Sequence, residues 1–89
     1  MIIEEFKNAP AVYDRFLQMG RMLPDGVRYI NSWPTRDLKK CFQLMECEDL
    51  KPIQQWIDKW SDLTSFEVLE VITSRQARIL ATNGDFEEA

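Results

Sequence analysis

No histidine occurs in the 89 residues, and that absence excludes more chemistry than any motif present supplies. A proximal-histidine haem, a histidine zinc site, a Ser-His-Asp triad and a histidine general base all need a side chain this sequence lacks. Cysteine is scarce, with only Cys41 and Cys47. Six residues along a strand separate two Cα atoms by about 20 Å at roughly 3.3 Å per residue, well beyond the ~7 Å limit of a bridge. Both are therefore expected as free thiols packed like small apolar residues, and neither a metal nor a cofactor is expected. Three glycines and four prolines leave no low-complexity tract, and no apolar run approaches the roughly 18 residues of a membrane span. Clustered basic charge is missing too. Eleven Lys and Arg stand scattered against fifteen Asp and Glu, a net charge of −4, which argues against nucleic acid and anionic membrane surfaces as partners. Met1 leads into Ile2-Ile3-Glu4-Glu5 without the basic flank and cleavage site of a signal peptide, so a cytoplasmic location is expected.

What is present is a single small domain's worth of periodic segments. Five phenylalanines, three tryptophans and two tyrosines are ample for one core, and a chain of this length buries only one, so association would help it. Residues 1–7 read as a strand. Asn8-Ala9-Pro10 opens a helix whose apolar stripe is Val12, Phe16, Met19 and Leu23, with Tyr13 and Leu17 beside it, and Pro24-Asp25-Gly26 turns the chain. Residues 27–33 and 40–47 read as a β-hairpin. Asp49 caps a second helix with Ile53, Trp56, Ile57, Trp60 and Leu63 at i, i+3, i+4, i+7 spacing, the clearest helical signal in the sequence. Residues 65–72 read as the last strand, Thr73 or Ser74 as the cap of a short third helix to about Thr82, and 83–89 as an acidic tail. The domain is thus 1–82. The β-α-β-β-α-β order is the split βαβ plan, an α+β, ferredoxin-like fold with a four-stranded antiparallel sheet and both helices on one face.

The hairpin register follows from side-chain matching. If paired positions sum to 74, Arg28 faces Glu46, Ile30 faces Leu44 and Ser32 faces Phe42, while Tyr29, Asn31 and Trp33 meet Met45, Gln43 and Cys41. The latter six mix large apolar bodies with polar tips, the composition of a cavity wall, and are the candidate ligand-binding residues. The plainer alternative is a sheet-to-sheet dimer core with its amides satisfied across the interface. A helix-side pocket would instead draw on Ile30, Phe42, Leu44, Phe16, Trp56 and Trp60. Glu4 and Glu70 are candidate bases if buried, or solvated strand-end carboxylates if not. Arg21 and Arg28 flank the 22–27 turn and form a weak candidate anion site.

The blocks Gly-Arg-Met-Leu-Pro-Asp-Gly-Val-Arg-Tyr at 20–29, Ser32-Trp33, Cys41-Phe42-Gln43-Leu44-Met45-Glu46, and Trp56, Trp60, Asp62 and Phe66-Glu67-Val68 resemble the bacterial DUF3303 family of the dimeric α+β barrel superfamily. The resemblance implies two ferredoxin-like protomers joined through their sheets, with helices outside. It transfers no catalytic residue, because the superfamily includes cofactor-less monooxygenases, lactone isomerases, haem peroxidases, ligand-binding regulatory domains and stress-response barrels. The expectation is a homodimer binding a small apolar or aromatic molecule. The alternatives are a cofactor-less monooxygenase or isomerase acting on a quinol-like or lactone substrate, and an assembly module with no ligand.

Overall fold

A computed structural model describes residues 1–82. Strand β1 (Ile2–Phe6) is followed by α1 (Ala9–Met19), the hairpin β2 (Val27–Pro34) and β3 (Lys40–Cys47), then α2 (Leu50–Asp58), β4 (Thr64–Val68) and α3 (Ser74–Ala81). The four strands make one sheet in the order β2-β3-β1-β4, every pairing antiparallel. This is the ferredoxin-like α+β arrangement read from the sequence. The expected tail at 83–89 lies outside the described residues. No helix among the described residues is long and apolar enough to cross a membrane.

Each helix starts where short-range polar chemistry satisfies its free N–H groups. The Asn8 side chain accepts from Ala11 N at 3.1 Å, and Asp49 accepts from Lys51 N at 3.0 Å. Thr73 forms a reciprocal capping box with Gln76. Helix α1 ends earlier than its apolar stripe suggests. Gly20 takes φ +68° as C-cap and donates its N–H to Phe16 O, so Leu23 lies beyond the helix and Met19 is left exposed. Strand β4 is also shorter than expected. Among the described residues its only neighbour is β1, where the ladder runs out to Ile2 against Val68 and a last backbone contact between Met1 and Leu69 at the start of the chain.

The core lies between the sheet and the helices. Ile2, Val12, Ile53, Trp56 and Trp60 are its buried centre, with Phe6, Val27, Met45, Cys47 and Phe66 packed against it. Arg15 ties α1 to the turn after α2 by a bidentate pair to Asp62 at 2.8 and 2.7 Å while lying over the Trp60 ring.

The hairpin register corrects the expected one. Arg28 pairs Glu46 and Tyr29 pairs Met45 as anticipated, but a β-bulge between Tyr29 and Asn31 inserts Ile30, and thereafter Asn31 pairs Leu44, Ser32 pairs Gln43 and Trp33 pairs Phe42. An extra residue reverses the facing of everything after it. Tyr29, Cys41, Gln43 and Met45 consequently share the helix-covered face, while Asn31 and Trp33 lie on the opposite one with Phe42 and Leu44. The six residues expected to share a face are split four and two. The uncovered face carries a row across the sheet, Trp33, Phe42, Ile3 and Glu67, with Trp33 half exposed.

Candidate functional site

A cavity of about 200 Å³ lies between the sheet and the helices. Three neighbouring floor positions carry small or polar side chains where a plain core would place large apolar ones. Those positions are Glu4 on β1 and Cys41 and Gln43 on β3. Trp56 and Trp60 form one wall; Val12, Tyr13 and Phe16 of α1 form another; Ser32 and Pro34 close the β2 end. Tyr13 and Phe16 are more than a third exposed, which puts the rim on the α1 side.

Arg21, in the irregular segment 20–26 after α1, organises both the tryptophans and the mouth. Its backbone carbonyl accepts from Trp56 Nε1 at 2.9 Å and from Trp60 Nε1 at 3.2 Å. With both indole N–H groups used there, the tryptophans offer the cavity only apolar surface. The Arg21 guanidinium stacks 3.8 Å from the Tyr29 ring centroid and 5.1 Å from that of Phe16, and so is held by cation–π contacts. Tyr29 in turn shares a 2.7 Å hydrogen bond with Ser32.

The floor is a polar cluster sunk in apolar surroundings. Gln43 Nε2 donates to Glu4 Oε2 at 3.2 Å, and both side chains are buried. Burial pushes the Glu4 carboxyl above its usual range, against the smaller opposing effects of the Cys41 hydrogen bond, the Arg21 charge and the Gln43 hydrogen bond. Burial, reinforced by the Glu4 charge and hydrogen bond, pushes the Cys41 thiol up to about 12. Cys41 is therefore protonated at neutral pH and a poor nucleophile. Both cysteines are free thiols, as expected. Gln43 Oε1, by contrast, is buried and has no hydrogen-bond partner, a state that costs about 1 to 3 kcal/mol for a neutral polar group.

Of the sequence candidates, the cavity takes Cys41 and Gln43 from the first set and Phe16, Trp56 and Trp60 from the helix-side set. Tyr29 stands behind Arg21, Met45 belongs to the core, and Asn31 and Trp33 are on the other face of the sheet. Ile30, Phe42 and Leu44 do not line it. Glu4 is the buried carboxylate; Glu70 lies beyond β4 and is exposed. Arg28 is engaged by Glu46 at 3.1 Å, apart from Arg21, so the two arginines do not form a joint anion site. Tyr13 was not singled out by pattern, although its i, i+3 relation to Phe16 on α1 was visible.

A scan against known families places the sequence in one of them: it belongs to the family described as domain of unknown function (DUF3303), which matches residues 1–84. No curated protein and no solved structure matches the chain.

Proposed function

We propose that the protein is a homodimer in which each subunit binds a small, flat, mainly apolar molecule in the cavity between sheet and helices. The observation that carries the binding reading is a cavity walled by Phe16, Trp56 and Trp60 over a floor that keeps a buried carboxyl and an amide oxygen without a partner. A ligand pocket combines apolar walls with a few convergent polar groups in this way. Chemical-shift mapping with a panel of one- and two-ring aromatic compounds tests it. Shifts are expected at the Trp56 and Trp60 indole N–H and the Gln43 side-chain amide. Shifts confined to Asn31 and Trp33, or none with any compound, overturn it.

Dimerisation is supported by the opposite face of the sheet. Trp33, Phe42, Leu44 and Ile3 share that face through the strand register and make an apolar surface there, of the kind soluble monomers rarely leave bare. Two such faces packed about a two-fold axis bury the row against its own copy and produce a dimeric α+β barrel. Light scattering should return twice the 10.5 kDa chain mass, and Phe42→Asp should return the chain mass itself. A wild-type protein that scatters as a monomer at micromolar concentration removes the dimer from the proposal.

A second reading, cofactor-less isomerase or oxygenase chemistry, draws on Glu4, whose raised pKa in an apolar pocket makes its ionised form a stronger base toward a substrate proton than an ordinary carboxylate.

A further inference from the structure

Resting on the cavity-binding reading above, we propose that the ligand is a flat aromatic monocarboxylate, held with its carboxylate on the Arg21 guanidinium at the cavity rim and its ring inward against Trp56 and Trp60. Arg15 and Arg28 are each paired with a carboxylate, Asp62 and Glu46. Arg21 is not. Among the described residues its hydrogen bonds are those of its backbone carbonyl, which takes both indole N–H groups, and no oxygen accepts from its guanidinium. Tyr29 and Phe16 hold that group through their rings, at 3.8 and 5.1 Å, and so fix its position without supplying an acceptor to its N–H donors. The residue is half-buried, and its nitrogens keep accessible surface. Its charge is felt at Glu4, Tyr13 and Cys41, all of which line the cavity, so the guanidinium stands beside that space.

A planar guanidinium with unused donors matches a carboxylate, whose two oxygens accept in parallel from adjacent N–H groups. Charge sets the number of acid groups at one. Among the described residues lining the cavity Arg21 is the one basic side chain and Glu4 the one acidic side chain, so a dianion finds a single cation and a carboxyl beneath it. Orientation follows from the same residues. A carboxylate turned inward meets Glu4 on the floor and, with both indole N–H groups taken, no donor from the tryptophans; turned outward, it reaches Arg21. The ring then lies against the π surfaces of Phe16, Trp56 and Trp60. A cavity of about 200 Å³ is smaller than the roughly 300 to 1,000 Å³ that drug-sized ligands occupy, so one ring or two fused rings fill it.

Benzoate and benzamide test the assignment on the wild-type protein at neutral pH, because they share shape and differ in charge. By shift titration, benzoate is expected to bind about tenfold or more tightly than benzamide. Acetate, a carboxylate without the ring, should bind far more weakly than benzoate. Arg21→Met and Arg21→Gln both remove the cation while keeping the backbone carbonyl that holds the tryptophans, and either should bring benzoate down to the affinity of benzamide. Benzamide bound as tightly as benzoate by the wild type overturns the carboxylate assignment and leaves the cavity reading standing. Acetate bound as tightly as benzoate reduces Arg21 to a surface anion contact and overturns the joint site. Persistence of the benzoate preference in either folded variant overturns the role of Arg21. Binding of neither aromatic compound, with cavity resonances unmoved, overturns the cavity reading together with the carboxylate assignment.

Discussion

Trp56→Ala is expected to destabilise the protein by about 3 to 5 kcal/mol, the range for removing a large aromatic from a core. Trp56 is only 2% exposed, meets the Phe66 ring edge-on at 5.4 Å, and donates to Arg21 O. Truncation removes the α2 side of the core and one of the two indole bonds to the Arg21 carbonyl. Domains are stable by only about 5 to 15 kcal/mol, and one this small lies toward the lower end, so the variant should have little folded population to spare. Urea denaturation measures the loss directly. Trp56→Phe separates packing from hydrogen bonding: it retains a ring, and Trp60 Nε1 at 3.2 Å still satisfies the Arg21 carbonyl, so its cost should be far smaller. Leu17→Ala, at a position 83% exposed, should fall within about 0.5 kcal/mol of wild type. A Trp56→Ala protein as stable as Leu17→Ala would mean that the core is not centred on α2.

The parts of this molecule that could be read from the sequence are those decided by local chemistry. Asp49 caps the helix it was expected to cap, and Asn8 and Thr73 are the members of the Asn8/Ala9 and Thr73/Ser74 alternatives that do so, because an N-cap bond spans only two or three residues. Ile53 and Trp56 face the core because the 3.6-residue period sets them on one side of α2, whereas the helix ends at Asp58, short of the expected stripe to Leu63, and Trp60 reaches the core from the turn that follows. The element order then leaves one economical sheet.

Facing within the hairpin was harder to read, for a physical reason. Both faces of β2 and β3 mix apolar and polar residues, so shifting the pairing by one after Tyr29 exchanges Ile30–Leu44 for Asn31–Leu44 without creating an evident mismatch. Nothing in the local pattern marks Ile30 as the residue of a bulge. Alternation also treats polar tips as a sign of the outer face. Here Glu4 and Gln43 are on the inner face, which is why the candidate lining was drawn from the wrong combination of faces. The departures from pattern coincide with the candidate site, where local rules are most often broken.

Glu4→Gln is expected to remove a pH dependence of stability that the wild type carries. Burial raises the folded-state pKa of Glu4 above its ordinary value of 4.5. Between those two values the folded state binds more protons than the unfolded state, so stability is greatest below about 4.5 and falls as pH rises through the folded-state value. Three neighbours act on the carboxylate from the surrounding elements: the Cys41 thiol and Gln43 amide on β3, and the Arg21 guanidinium beyond α1. All three favour the charged form, yet burial outweighs them. Glutamine has the same shape and no charge to desolvate. The variant should therefore match the wild type near pH 4 and exceed it at pH 8, and each kcal/mol recovered should raise Tm by about 4 to 8 °C for a domain of this size. Glu5→Gln, an exposed neighbour on the other face, is the control. Thermal melts of the three proteins across this pH range measure the effect. A Glu4→Gln protein that keeps the wild-type slope, or that is less stable at every pH, would show that the Glu4 carboxylate is better solvated or better paired than a closed cavity floor allows.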